Sequence, residues 1–186
     1  PETADEDAPW TRHVDGRFYP YQPETSPSTP IADLQSRLSE TISAEDHYHR
    51  LHTLGLTFGP ILHGVQKIWR CDGEALGRIE LPAANHPELA RYRIDPALLD
   101  ACLQVISAAL PDNADEDTLF MPIAVDQFTC HQQPGSALWS HVTAPSTLNG
   151  QETFTAQVRL LDDNGRLLAA LTGIHLKRAS QAALQP

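Results

Sequence analysis

Cysteine is scarce in this chain: Cys71, Cys102 and Cys130 are far apart and odd in number. No CxxC pair occurs, so neither a zinc knuckle nor a disulfide framework is indicated. That usage fits a reducing, cytoplasmic setting best. Basic charge is also in short supply. The 13 Lys and Arg are outnumbered by 24 Asp and Glu, giving a formal net charge of −11. This argues against nucleic acid as a partner. No apolar run approaches the length of a bilayer span, and no secretory signal opens the chain, so no membrane association is expected. GxGxxG, a Walker loop, GxSxG and HExxH are all missing, as is any internal repeat, and no cofactor is expected. The start at Pro1, without Met, reads as a piece cut from something longer.

What is present centres on Asp95 to Leu110, DPALLDACLQVISAAL. Asp95 is a good N-cap, and Pro96 falls at the first helical position, where its missing N–H costs nothing. From Ala97 on, the run is almost wholly apolar, which predicts a helix buried on all sides. Two polar residues, Asp100 and Gln104, stand inside it, four apart and therefore one turn apart on one face. A carboxylate there is costly unless it is partnered or protonated. A protonated carboxyl group in a dry pocket can act as a general acid. Composition alone also fits an internal Asp bonded to Gln104 and nearby backbone.

At 186 residues and 41% apolar content, one sizeable core is expected rather than two. Trp10 to Phe18 reads as a short strand with Asp15-Gly16 as a turn, and the Pro-rich YPYQPETSPSTP from Tyr19 to Pro30 as an extended linker. Ile31 to Ile42 has room for a short helical turn. Ser43-Ala-Glu-Asp46 is a capping-box variant that predicts a helix ending at Gly55, with Tyr48, Leu51 and Leu54 as its apolar side. Its His47, His49 and His52 invite a metal reading, but His47 and His49 stand about 200° apart on a helix, so the default is solvated or partly packed histidines. Gln66 to Cys71 and Glu74 to Leu81 form a hairpin across Asp72-Gly73. Four strands follow: Ile123 to His131, Ala137 to Thr143, Phe154 to Leu161 and Leu167 to Lys177, the last two joined at Asn164-Gly165. An antiparallel sheet curled around one apolar helix, an α+β arrangement, buries both.

Four segments in this order resemble the dehydratase domain of modular type I polyketide synthases, a double hotdog fold. Phe58-Gly59-Pro60-Ile61-Leu62-His63-Gly64 resembles that family's YGPxFQG, and Asp95-Pro96-Ala97-Leu98-Leu99-Asp100 its HPALLD. Asp100 to Gln104 fits its DxxxQ, and Phe120-Met121-Pro122 falls where it has an LP motif before a strand. The resemblance spans about residues 10 to 180. It implies the end of a first hotdog at 1–18, an inter-hotdog linker at 19–42, a second, C-terminal hotdog at 43–180 and a tail at 181–186.

The resemblance implies a hydro-lyase, a 3-hydroxyacyl-[acyl carrier protein] dehydratase. A β-hydroxyacyl chain on the phosphopantetheine of an acyl carrier protein would lose water to give an α,β-enoyl thioester. Asp100 would inherit the acid's role and Gln104 that of orienting it. Phe58, Gly59, Pro60, Leu99 and Pro122 would contact substrate. Further partners implied are the first hotdog half and a second copy, as a dimer within the synthase. The family's basic His belongs to an HxxxGxxxxP motif in the first hotdog, and that motif is absent here, so the fragment is expected to be inactive alone. The family's Tyr, thought to help hold the acidic Asp, is Phe58, and the first His of HPALLD is Asp95. Competing readings are a non-catalytic hotdog module for acyl binding or scaffolding, and a cyclase (product template), pyran-forming or isomerase relative. The isomerase is disfavoured by Asp100.

Overall fold

The computed structural model of the chain describes residues 12, 14–20, 28–81, 92–111, 119–148 and 150–179. The helix predicted from Ser43 is present as Ala44–Thr53 (α2). Ser43 Oγ accepts from the Asp46 N–H at 3.1 Å and donates to the Asp46 carboxylate at 2.6 Å. The cap therefore satisfies one of the first-turn donors that the helix itself leaves open. Before it come a helix at Ile31–Arg37 (α1) and a strand at Glu40–Ser43 (β1).

The hairpin is Val65–Cys71 (β2) and Glu74–Glu80 (β3), turning at Gly73 with φ 84°, a left-handed value suited to glycine. The remaining strands are Leu119–Cys130 (β4), Ala137–Thr143 (β5), Thr153–Leu161 (β6) and Leu167–Ala179 (β7). They make one antiparallel sheet in the order β1-β2-β3-β5-β6-β7-β4. In β6, Phe154, Ala156, Val158 and Leu160 are buried, as their alternation predicts.

The buried helix, Pro96–Gln104 (α3), continues as a 3-10 turn over Val105–Ala109. Asp95 caps it, its Oδ1 accepting from the Ala97 N–H at 2.8 Å. The tightening after Gln104 falls at β-branched Val105 and Ile106, which crowd an α-helical turn. Donors from outside the helix take the carbonyls this frees. Arg70 reaches Ala108 O at 2.8 Å and Leu110 O at 3.0 Å, and Gly73 N–H reaches Ala109 O at 2.9 Å. The sheet closes over this helix from β2, β3, β5 and β6, which makes the expected α+β hotdog architecture. Two glycines permit the close approach. A Cβ at Gly64 would meet Ala101 Cβ at 2.8 Å, and one at Gly77 would meet Val105 Cγ2 at 2.6 Å.

Four expectations need correction or narrowing. The helix is not sealed on all sides: Leu99, Asp100, Leu103 and Ser107 form a half-buried stripe. Residues 14–20 form no strand and are exposed, and residues 10, 11 and 13 of the stretch read as a strand lie outside the described residues. The stretch read as linker up to residue 42 carries α1 and β1. Leu34 of α1 and Leu38 just after it pack with Leu76 and Leu161 on the sheet face opposite the main core, and β1 pairs with β2. His47 is 3% exposed rather than solvated, whereas His49 and His52 point to solvent. Most of the acidic loop at 111–117, the linker at 21–27 and the tail at 181–186 lie outside the described residues.

The contact at Gly77 yields a stability test. Gly77→Ala should destabilise the fold by about 1–3 kcal/mol, the usual cost of overpacking a core. Combining it with Val105→Ala should cost less than the two single changes added together, because the second removes the atom the first strikes. Urea denaturation of the three variants checks this; additive losses would show that the two positions do not compete for space.

Candidate active site

Asp100, Leu103 and Ser107 of the half-buried stripe face a cavity of about 170 Å³. Phe58, Phe120, Met121, Pro122 and Phe154 line it together with Leu51, Leu54, Leu103 and Leu176. Phe120 and Phe154 meet edge to face, centroids 4.9 Å apart. Only Arg50, Asp100, Gln104 and Ser107 of the lining residues are polar. A mostly apolar pocket with a few convergent polar groups is what a small-molecule or acyl site requires.

The amide of Gln104 ties the site together. Its Nε2 donates to Asp100 Oδ2 at 2.8 Å and to the Leu62 carbonyl at 3.1 Å. Both partners are acceptors, so the NH2 end must be the one that faces them. The Leu62 carbonyl also accepts from the Tyr48 hydroxyl at 3.2 Å, and that hydroxyl accepts from the Val65 N–H at 3.0 Å. The Tyr48 ring stacks on His63, 4.1 Å between centroids and 8° from parallel. His63 Nε2 in turn lies 3.2 Å from the Phe58 carbonyl. The Gly-rich segment 55–64, including its 3-10 turn at Pro60–Leu62, is thereby held against α2 and α3.

Burial acts on two neighbouring groups. It drives the Tyr48 hydroxyl up to about 12, with the Asp100 charge adding in the same direction and the Val65 N–H opposing. It drives the His47 imidazole down to about 4, helped by the Arg50 charge and opposed by the Gln104 side chain. His47 is therefore neutral at pH 7.

The structure brings Asp100, Gln104, Phe58 and Pro122 to one cavity. Gly59 and Pro60 shape the adjoining turn and are exposed, and Leu99 packs against the core from its half-buried position; none of the three lines the cavity. Sequence reasoning missed His47 and Tyr48 as neighbours of the site. The signal was present: α2 buries the side that includes Leu51 and Leu54, and His47 lies one turn before Leu51.

Comparisons with known proteins identify the family. A family model described as polyketide synthase dehydratase N-terminal domain matches residues 26–186. The chain belongs to the polyketide synthase dehydratase family. It is 33% identical over 144 residues to the spectinabilin polyketide synthase system protein NorA' of Streptomyces orinoci, covering 77% of this chain and 4% of that protein. It is 30% identical over 152 residues to a phenolphthiocerol/phthiocerol polyketide synthase of Mycobacterium tuberculosis, covering 77% of this chain and 8% of that one. Among solved structures, it resembles the dehydratase domain from the CurF module of curacin polyketide synthase. The TM-score is 0.75 at 28% identity, over 87% of this chain and 56% of that one. The chain thus spans a small part of the curated synthases and about half of the solved domain. Among the described residues no helix is long and apolar enough to cross a membrane.

Neutral, buried His47 sets a pH dependence. The unfolded chain takes up its proton near 6.5, the folded chain near 4. Stability from this group is thus present above about pH 6.5 and lost as pH falls toward 4, by roughly 3 kcal/mol in full. Denaturation at a series of pH values should show the parent losing stability over that window more steeply than His47→Phe. Parallel slopes would mean that His47 is not held neutral by the fold.

Proposed function

We propose that this chain is the acid-bearing, second hotdog half of a polyketide synthase dehydratase. Its substrate would be a β-hydroxyacyl group on the phosphopantetheine of an acyl carrier protein. The observation that carries the reading is Asp100 on the open stripe of α3, held by Gln104, in an otherwise apolar cavity. A base takes the α-proton, that electron pair forms the new C=C bond, and the β-hydroxyl departs as water on receiving a proton from Asp100. Gln104 orients the acid. Phe58 and Pro122 contact the acyl chain, and Gly59, Pro60 and Leu99 shape the site from behind.

The base comes from an upstream half, because HxxxGxxxxP is absent from this sequence. Two solved relatives support a two-residue requirement: one curacin dehydratase was obtained as inactive variants, in one case with Asn for an Asp and in the other with Phe for a His. The free side of β4 supports a partner. It is an edge strand of this sheet, and Ile123, Val125 and Phe128 on it are exposed, a surface that natural proteins normally cover. Pairing with the first hotdog, and dimerisation within the synthase, would cover it. The compartment proposed is the cytoplasm.

The purified chain alone should not dehydrate a 3-hydroxyacyl pantetheine thioester, since elimination needs acid and base on one substrate. Joined to its upstream half it should do so, and there Gln104→Leu should slow turnover by about tenfold or more without abolishing it, a typical loss for a misplaced general acid. Liquid chromatography of the enoyl product reads both. Turnover by the chain alone would mean that the base lies within it. An unchanged rate in Gln104→Leu would remove the DxxxQ reading.

A further inference from the structure

The hydrogen bonds of Gln104 leave one conspicuous gap. Its NH2 end is spent on Asp100 and Leu62, while its Oε1 is buried with no partner among the described residues. The ring atom Nε2 of His47 is likewise buried and unpartnered among the described residues. His47 packs against Tyr48, ring centroids 5.1 Å apart, and Tyr48 shares the Leu62 carbonyl with Gln104; the Gln104 side chain also raises the imidazole's affinity for protons. One orphan is an acceptor, and the other becomes a donor in one of the two neutral tautomers. A buried pair of this kind costs free energy unless the two atoms meet.

We propose that His47 is a positioning residue for the acid: its Nε2–H donates to Gln104 Oε1 and so fixes which end of the amide faces Asp100. This rests on the dehydratase reading of Asp100. With Oε1 engaged by His47, the amide presents only N–H to the carboxyl group. A protonated Asp100 then finds no acceptor on Gln104, and its proton is left for the departing hydroxyl. Were the amide to turn over, Oε1 would face Asp100 and accept that proton in a hydrogen bond. The acid would then be occupied by its own neighbour, and the Leu62 carbonyl would face an oxygen. His47 stands behind the amide and is not among the residues that line the cavity, so it acts through Gln104 and touches no substrate. Its burial also suits the role, since a neutral imidazole keeps one donor and one acceptor, whereas a protonated one would place a charge beside Arg50.

The test uses the intact domain with both halves. His47→Phe keeps the ring's bulk and removes the donor. It should lower kcat by about tenfold, roughly the worth of one hydrogen bond, with KM little changed. His47→Gln restores a donor and should recover most of that loss. Asp100→Asn is measured alongside. If Asp100→Asn is inactive while His47→Phe turns over at the parent rate, the positioning role is wrong and the dehydratase reading stands. If Asp100→Asn keeps the parent rate, both fall. Nitrogen-15 spectra of the unsubstituted domain give an answer independent of activity and of how the variants fold. A proton on His47 Nε2 with a bare Nδ1 supports the proposal, and a bare Nε2 overturns it.

Discussion

The two N–H bonds of the Gln104 amide are the junction on which the site depends. One reaches the carboxyl group of Asp100, and the other reaches the backbone of the Gly-rich segment at Leu62. An amide in water would gain little from either. Here Gln104 is 8% exposed, so solvent does not compete, and an unmade bond would cost the full desolvation of its partner. The carboxyl group, the cavity wall and the central helix are thus fixed relative to one another by one side chain. Tyr48 extends the junction to α2 by sharing the Leu62 carbonyl and holding Val65.

That junction needs the helix to sit close to the sheet. Gly64 and Gly77 allow it, since neither has a side chain to hold α3 and its 3-10 extension away. Arg70 completes the seat by taking the carbonyls of Ala108 and Leu110. The burial is uneven by necessity. The face against β2, β3 and β5 is closed, and the stripe through Asp100 and Leu103 opens on the cavity. A carboxyl group is tolerated in so apolar a helix because it lies on that stripe and has Gln104 for a partner.

Much of this was legible in the chain because the signals were local. Asp95-Pro96 marks a helix start, Asp72-Gly73 and Asn164-Gly165 mark hairpin turns, and the alternation from Phe154 to Leu160 marks a half-buried strand. Each follows from backbone chemistry within a few residues. The Asp-Gln pair was legible because two polar side chains in an apolar helix have few places to go. The features read only in part, or not at all, depend on tertiary packing. The helix at Ile31–Arg37 has Pro30 at its cap with no side-chain cap bond, and it is held by packing on Leu76 and Leu161. The strand from Leu119 begins four residues earlier than its alternation suggested, because it pairs with the far end of β7 across a bulge at Pro122. His47 turned inward because α2 buries the turn that also carries Leu51, and histidine content alone does not tell which way a ring will face.

The most direct test of the acid's role is the fate of a β-hydroxyacyl thioester on the intact two-half domain carrying Asp100→Asn. Asparagine keeps the shape and can still bond to Gln104, but it cannot deliver a proton to the leaving hydroxyl. No enoyl product should form, while the circular dichroism spectrum and the binding of a substrate analogue match the parent. Enoyl product at the parent rate from that variant would contradict the assignment of Asp100 as the acid.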